Sequence, residues 1–291
     1  MLKLLRINHW IKNLYVFAPI FFSGQIANSE KLLQSLYAFF IFSFAASSIY
    51  ILNDIIDVED DKAHPEKKDR PIASGKVSKN TAYILFLALL LASLTCAFLI
   101  NLQLLLIIIG YITLNILYSI KLKQIAIIDV SIIAVGFVLR VFAGGESSGI
   151  LVSHWLIIMT FLISLFLALA KRRDDLIIED ETGTVMRKSI KGYNKEFIQS
   201  AISILCGALI VSYILYVTSA EVVSRFNNKN IYYSTIFVIL GILRYLQLSM
   251  VKNKSGSPTK IMYKDLFTQL VIVGWILFFI VYIYIMKNPS A

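Results

Sequence analysis

Apolar segments long enough to cross a lipid bilayer recur along almost the whole chain, and they constrain its fold more than any other feature. A membrane-spanning helix needs roughly 20 mostly apolar residues. Only 16% of the 291 residues are charged, against about 25% in soluble domains. We therefore expect an all-α integral membrane protein with a single domain over residues 1–291. The predicted spans lie near residues 13–28, 32–53, 79–100, 102–119, 124–144, 151–171, 196–219, 231–250 and 266–286. Pro19 and Gly24 interrupt the first of them.

The positions of Lys and Arg predict the orientation in the membrane. The N-terminus and the stretches 54–79, 120–123, 171–195 and 251–265 carry 22 of the 28 cations. The positive-inside rule places these stretches in the cytoplasm and the C-terminus outside. The net charge of +10 then indicates topology and anionic substrates, and we expect no nucleic-acid partner. The opening residues show no clear signal-peptide cleavage site.

The densest acidic stretch follows the second predicted span directly, from Asn53 to Asp61. If the helix continues, about 100° per residue places Asn53, Asp54, Asp57 and Asp61 within about one quarter of its circumference. Oxygen ligands of this kind suit Mg²⁺, which usually binds together with substrate phosphates. Carboxylates beside a membrane are costly and usually functional, although a solvated loop that only helps topology is the alternative.

A second charged cluster, Lys171-Arg172-Arg173-Asp174-Asp175, follows the sixth predicted span. Lys171 and Asp175 are an i,i+4 pair and should share a helix face. The alternative is a set of cations that only anchors the helix end. Because both clusters are predicted on one side of the membrane, we expect two charged helix ends to face one cavity that binds a polyanion with its metal.

Three further sites are candidates for binding. Lys12 and Asn13 precede an apolar run and either reach a phosphate or form part of an interfacial anchor with Trp10. Arg140 lies in an apolar span, where snorkelling to the outer interface is the simpler account. Tyr118 lies with Tyr111 and Asn115 on one face of the fourth span. These three side chains either line a cavity or hydrogen-bond between helices.

Taken together, these residues resemble a known superfamily. The pattern Asn53-Asp54-x-x-Asp57-x-x-x-Asp61 resembles the first aspartate-rich motif of the UbiA superfamily of intramembrane prenyltransferases. Its decaprenyl-phosphate phosphoribosyltransferase branch is similar in several further segments. These are Trp10-x-Lys12-Asn13, Asp61-x-x-His64-Pro65-x-Lys67-x-x-Arg70-Pro71-Ile72-Ala73, Leu139-Arg140, Ala143-Gly144-Gly145, Lys171-Arg172-x-x-acid and Arg187-Lys188-Ser189. The resemblance implies a nine-helix bundle whose central cavity is open to lipid and capped by cytoplasmic loops.

The second motif separates the branches of this superfamily. Its aromatic prenyltransferases typically carry Asp-x-x-x-Asp there, whereas Lys171 takes the first acidic position in this chain and Asp175 the second. A lysine at that position suits a donor with an additional phosphate, such as 5-phosphoribosyl 1-diphosphate. The departure from the branch is the charged pair Arg173-Asp174.

The resemblance implies transfer of a phosphoribosyl group to a polyprenyl phosphate at a bacterial-type inner membrane, with the active site facing the cytoplasm. Asn53, Asp54, Asp57 and Asp61 would hold Mg²⁺ on the donor diphosphate, with the three aspartates as the catalytic residues. Further substrate-binding residues would be Lys12, Asn13, Lys67, Arg70, Tyr118, Arg140, Lys171, Arg172 and Asp175.

An aromatic prenyltransferase with a polyprenyl diphosphate donor is the alternative function. A transporter is disfavoured because both clusters lie at helix ends on one side. The oligomeric state is left open.

Overall fold

All regular elements that the structure describes are helical. The computed structural model describes residues 2–63, 68–183, 188–226, 229–251 and 264–282. In chain order its α-helices are α1 Leu2–Leu5, α2 Ala18–Phe22, α3 Ser29–Ile56, α4 Val58–Ala63, α5 Lys79–Ile100, α6 Leu102–Ile120, α7 Ile128–Ser148, α8 His154–Thr182, α9 Lys195–Thr218, α10 Ala220–Phe226, α11 Thr235–Met250 and α12 Leu266–Ile280. Four 3₁₀ helices are Ile7–Phe17, Leu122–Gln124, Lys188–Gly192 and Lys229–Ser234.

Seven of the described helices are long and apolar enough to cross a membrane. They are α3, α5, α6, α7, α8, α9 and the stretch Asn230–Met250 that contains α11, and α12 is a shorter apolar helix. The predicted all-α class is therefore confirmed, whereas the count of nine helices is not. Side-chain caps set several helix starts, since Ser78 accepts from Thr81 N and Asn101 accepts from Leu104 N. These caps help to explain why α5 begins and ends where hydropathy predicts.

The predicted first span, 13–28, is not a continuous α-helix. Residues Ile7–Phe17 form an 11-residue 3₁₀ helix, and the short helix α2 follows. Pro19 lies in the first turn of α2, where its missing N–H costs nothing, but an α-helix arriving from upstream would lose a hydrogen bond there. Apolar composition alone does not distinguish these two kinds of helix.

The chain forms two compact units. Unit 1 comprises Met1–Leu122 and Val135–Val152, and unit 2 comprises Lys123–Ala134 and Ser153–Ala291. The core of unit 1 lies around α3, whose buried residues pack with α5, α6 and part of α7. In unit 2, α8 packs along α9. The expectation of a single membrane domain stays a prediction.

Helix α8 extends further than its apolar stretch. The sixth span was predicted to end at residue 171, but the helix continues to Thr182. The charged cluster Lys171–Asp175 therefore lies inside α8 and not at its end, which corrects the sequence prediction. Hydropathy detects only the part of a helix that suits lipid, so it misses polar turns that continue the same helix.

Matching helical repeats attach the N-terminal 3₁₀ helix to α3. Three residues of a 3₁₀ helix and four residues of an α-helix both rise about 6 Å. Trp10 Nε1 donates to Ser47 Oγ at 3.0 Å, and Asn13 Nδ2 donates to Ser43 Oγ at 2.9 Å. Residues three apart in the 3₁₀ helix thus form hydrogen bonds with residues four apart in α3. The unusual length of this helix is supported by tertiary hydrogen bonds, since most 3₁₀ helices are only 3–4 residues long.

Gly144 explains the Ala-Gly-Gly segment of α7. A Cβ at this position would lie 1.8 Å from the carbonyl oxygen of Val16. The 3₁₀ helix therefore passes directly over a glycine, and any side chain there would push it away. Glycine serves here for close backbone approach.

Replacement of Asn13 by alanine should destabilise the protein. The change removes the hydrogen bonds that Asn13 makes with buried Ser43 Oγ and Arg140 Nε, at a cost of about 1–3 kcal/mol. The measurement is thermal unfolding of the purified protein in detergent. The matched control is Asn8→Ala in the same 3₁₀ helix, where the side chain is exposed and a change within about 0.5 kcal/mol is expected. Equal unfolding midpoints for the two variants would contradict the proposed attachment.

Candidate functional site

Two buried carboxylates of the first acidic cluster meet at one arginine. Arg70 Nη1 lies 3.1 Å from Asp54 Oδ1 and 2.7 Å from Asp61 Oδ2. Asp54 and Asp61 are each 2% exposed, whereas Arg70 is partly exposed. The shared arginine shows that the two carboxylates face one spot, as their predicted position on one side of the helix requires.

Arg6 is a second cation of this cluster that the sequence analysis missed. Its Nη2 lies 2.5 Å from Asp54 Oδ1, and its guanidinium lies 5.0 Å from the centre of the Tyr50 ring. Arg6 has φ 49° and ψ 47°, a left-handed conformation that is uncommon for residues other than glycine. Its only signal in the sequence is a basic residue shortly before the Trp10-x-Lys12-Asn13 segment.

The acidic helix is interrupted at Asp57. Helix α3 ends at Ile56, Asp57 is its C-cap, and α4 begins at Val58. The prediction of a continuous helix is therefore wrong at this residue, where the short side chain of aspartate competes with the backbone for hydrogen bonds. Asp57 N still donates to Asn53 O at 2.9 Å, and Asp61 N donates to Asp57 O at 2.8 Å. Helical spacing is thus kept across the break, and Asn53 and Asp57 are both half-buried.

The chemistry of this cluster fits a divalent cation. Asp54 and Asp61 both pair with the guanidinium of Arg70, so their carboxylates converge on one cation. Carboxylate oxygens are the ligands that Mg²⁺ prefers. Among the described residues, no group of three or more His, Cys, Asp or Glu side chains is arranged to hold a metal ion. A site with few protein ligands suits Mg²⁺, which keeps several waters and binds substrate phosphates.

Three further predicted binding residues, Lys12, Tyr118 and Lys67, differ in how far the structure describes them and in their exposure. Lys12 has an exposed side chain. Tyr118 is half-buried on α6. Lys67 lies outside the described residues.

Arg140 is buried inside unit 1 and does not snorkel. Its Nε donates to Asn13 Oδ1 at 2.8 Å, its Nη1 to Gly136 O at 2.6 Å and its Nη2 to Tyr111 OH at 3.3 Å. The guanidinium also lies 4.8 Å from the centre of the Phe42 ring. These contacts give Asn13 and Arg140 a structural role between the 3₁₀ helix, α6 and α7, and their binding of substrate stays a prediction.

Arg172 is the centre of the second cluster, and it is fully buried. Its Nε lies 3.0 Å from Asp129 Oδ2, and its Nη1 donates to Asp175 Oδ2. Asp129 is fully buried and Asp175 is 6% exposed. Asp175, which was predicted to share a face with Lys171, thus forms its ion pair with Arg172. A guanidinium buried between two carboxylates is suited to positioning them, because its planar charge pairs with both.

The neighbours of Arg172 divide between interior and surface. Arg173 is 9% exposed, and its Nη1 donates to Ser249 Oγ at 2.6 Å. Lys171 is exposed. Of the three consecutive cations, two are therefore directed into unit 2 and one is accessible.

Asp129 is a functional candidate that is absent from the site residues predicted from the sequence. Its carboxylate accepts hydrogen bonds from Tyr193 OH at 2.7 Å and from Ser189 Oγ at 3.1 Å. Burial and the hydrogen bond to Asp129 raise the pKa of Tyr193 well above its usual value. Tyr193 is therefore a neutral hydrogen-bond donor at physiological pH.

Comparison with known proteins identifies the family of this chain. The model of the UbiA prenyltransferase family matches residues 16–271. The chain belongs to this family. Membership in the UbiA family, together with the apolar helices, makes it an integral membrane transferase.

Two curated relatives match nearly the whole length. A decaprenyl-phosphate phosphoribosyltransferase of Corynebacterium glutamicum is 31% identical over 290 residues, which cover 98% of this chain and 87% of the relative. The protein of the same name from Mycolicibacterium smegmatis is 32% identical over 286 residues, which cover 95% and 90% of the two chains. The resemblance to this branch of the UbiA superfamily is therefore confirmed.

A solved UbiA structure shares the fold. The UbiA homologue from Archaeoglobus fulgidus bound to DMAPP and Mg²⁺ has a TM-score of 0.70 and 20% sequence identity. The match covers 98% of this chain and 99% of that chain. At this identity the likeness shows the UbiA fold alone.

Replacement of Arg172 by glutamine should strongly destabilise unit 2. Two buried carboxylates, Asp129 and Asp175, would lose their shared cation, and breaking such a pair typically costs 3–5 kcal/mol. The measurement is thermal unfolding in detergent, with the fraction of monodisperse protein as a second readout. Lys171→Gln is the matched control, because Lys171 is adjacent and exposed. Similar unfolding midpoints for both variants would show that Arg172 does not hold the carboxylates.

Proposed function

We propose that this protein transfers a 5-phosphoribosyl group from 5-phosphoribosyl 1-diphosphate to a polyprenyl phosphate and releases diphosphate. Support comes from the nearly full-length similarity to two proteins named decaprenyl-phosphate phosphoribosyltransferase. In the reaction, an oxygen of the lipid phosphate forms a bond to C1 of the ribose. The bond from C1 to the diphosphate oxygen breaks, and its electron pair leaves with the diphosphate.

The observation that carries this proposal is the accessibility of Lys171. Arg172 and Arg173 are held inside unit 2 by Asp129, Asp175 and Ser249, whereas Lys171 is exposed. The second cluster therefore offers a cation to a ligand. In a donor with one diphosphate and a separate 5-phosphate, the diphosphate would bind the metal and the 5-phosphate would bind this lysine.

The first acidic cluster would hold Mg²⁺ through Asp54, Asp57, Asp61 and Asn53. Because no three carboxylates of the described residues are arranged to hold the ion together, some of these residues would bind it through water. When bound, Mg²⁺ supplies Lewis-acid stabilisation of the negative charge on the leaving diphosphate. Arg70 is shared by Asp54 and Asp61, and a phosphate of the donor would give it a further anionic partner. Charged groups aligned in this way act mainly on the transition state, where negative charge develops on the leaving group.

The remaining residues bind and orient. Lys12 and Lys171 are exposed cations for the donor 5-phosphate and the acceptor phosphate, and Lys67 is a further candidate. Arg172 positions Asp175, while Asn13 and Arg140 hold the 3₁₀ helix that carries Lys12. The lipid phosphate is an anion at neutral pH, so it attacks without a strong general base. Its isoprenoid tail would lie against apolar side chains open to the bilayer, near Tyr118.

The proposal includes an orientation and a helix count. The N-terminus and the loops that carry most of the Lys and Arg residues face the cytoplasm of a bacterial-type inner membrane. The bundle has nine helical segments, of which residues 7–22 form the first, broken one.

A donor comparison tests this function. Purified protein with Mg²⁺ would receive either labelled 5-phosphoribosyl 1-diphosphate with polyprenyl phosphate, or a polyprenyl diphosphate with hydroxybenzoate. We expect labelled lipid product in the first mixture only, because Lys171 replaces an acidic residue of the aromatic prenyltransferases. Product in the second mixture alone would overturn the proposal and favour an aromatic prenyltransferase.

Replacement of Asp57 by asparagine should abolish transfer and leave the fold intact. Asp57 is half-buried, and loss of a metal ligand should lower kcat/KM at least about 100-fold, which corresponds to about 2.7 kcal/mol. The assay is product formation as a function of Mg²⁺ concentration. Glu59→Gln is the matched control, because Glu59 is exposed and paired with Lys62. Nearly full activity of Asp57→Asn would show that the metal assignment is wrong.

A further inference from the structure

A buried carboxylate with no direct part in the proposed reaction joins three segments of unit 2. Asp129, in the first turn of α7, is fully buried. It contacts Arg172 Nε of α8 at 3.0 Å, Tyr193 OH at 2.7 Å and Ser189 Oγ at 3.1 Å. We call Asp129, Arg172, Ser189 and Tyr193 the Asp129 clamp. Because both carboxylate oxygens have protein partners, Asp129 is not placed to touch a substrate.

The backbone at Ala126 and Ile127, next to the Asp129 clamp, is held by close contacts with Gly192 and Tyr193. Tyr193 OH also accepts from the backbone N–H of Ile127 at 2.6 Å. Ile127 has φ 69°, which is strained for a β-branched residue. A Cβ on Gly192 would lie 2.5 Å from Ala126 Cβ. The backbone is therefore held in an unfavourable conformation next to Asp129, and such strain persists only where surrounding contacts enforce it.

The clamp also sets the rotation of α8 about its axis. Successive helix residues differ by about 100°. Arg172 forms an ion pair with Asp129 of α7, and Arg173 donates a hydrogen bond to Ser249 of α11. Two adjacent residues attached to two different helices leave α8 little freedom to rotate. Lys171, the exposed residue immediately before them, is thereby directed to one position.

Charge balance alone does not account for Asp129. Arg172 already pairs with Asp175, so a second buried carboxylate leaves the three groups with one excess negative charge. Buried charge without compensation is costly. The second carboxylate is therefore better explained by a role in placing Arg172. Its Oδ2 lies 3.0 Å from Nε on one edge of the guanidinium as an ion pair, while Nη1 donates to Asp175 on the other.

We propose that Asp129 is a positioning residue for the donor, which acts by fixing Arg172 and thereby the direction of Lys171. This inference rests on the proposed function of Lys171 as a ligand of the donor phosphate. A contact that is equally strong with the bound substrate and with the transition state lowers KM without raising kcat, and the proposal assigns the contact of Lys171 with the donor phosphate to this kind. Loss of Asp129 should therefore raise the KM for the donor and leave kcat nearly unchanged.

The experiment uses the full-length protein in detergent or liposomes. For Asp129→Asn we expect the donor KM to rise at least about tenfold, with kcat and the acceptor KM within about threefold of wild type. Asp180→Asn is the matched control. It removes a carboxylate from the same helix, where Asp180 forms an exposed pair with Lys195, and all its kinetic constants should stay at the wild-type values.

A double-mutant cycle separates positioning from general damage. Lys171→Ala should raise the donor KM by itself, and Asp129→Asn should add nearly nothing to it, since both changes remove the same contact. A purely structural role of Asp129 predicts multiplying effects or a fall in kcat, and either result overturns the proposal. So does an unchanged donor KM in Lys171→Ala.

Two measures keep the test decisive. If Asp129→Asn does not fold, Arg172→Lys takes its place, because an ammonium keeps the charge but does not hold Asp129 and Asp175 in the same geometry. It should give the same increase in donor KM and the same non-additivity with Lys171→Ala.

If wild type uses only a polyprenyl diphosphate, the proposed function fails, and the double-mutant cycle is then measured with that donor. An unchanged donor KM in that series refutes the role of Asp129 as well.

Discussion

A carboxylate buried among apolar helices has to be matched by a cation, and the two charged clusters of this protein depend on that constraint. Asp54 and Asp61 share Arg70, and Arg6 also contacts Asp54. In unit 2 the cation between Asp129 and Asp175 is Arg172. Removing one partner from such a set leaves an uncompensated buried charge, which costs far more than a surface ion pair contributes. The clusters are thus held in place by their own electrostatics.

Arginine and lysine have different tasks in this arrangement. Arg140, Arg172 and Arg173 are buried, whereas Lys12 and Lys171 are exposed. A guanidinium is planar, weakly hydrated and able to hold two or three groups at once, so it suits the interior. An ammonium is a compact, strongly hydrated charge that suits an accessible phosphate site. The sequence Lys171-Arg172-Arg173 therefore combines one exposed cation with two cations that pair inside unit 2.

Several parts of the fold follow from the sequence directly. The bounds of α5 agree with the predicted span 79–100, because an apolar run is bordered by polar residues that cap helices. Prediction failed where two structures share one composition, as in the 3₁₀ helix at Ile7–Phe17. It also failed where a helix continues beyond its apolar part, as α8 does. In both cases the outcome depends on tertiary contacts, such as those of Trp10 and Asn13 with α3.

For the site, the sequence by itself determined which residue types gather at which chain positions, since local periodicity puts Asp54 and Asp61 on one side of a helix. It also determined the UbiA family, through the spacing of those acidic residues and the segments around them. Only the tertiary structure decided which charges are buried and which are exposed. Arg140 meets Asn13 across 127 residues of sequence, and Arg172 meets Asp129 of a different helix. Such pairings are fixed by how helices pack, and no local pattern records them.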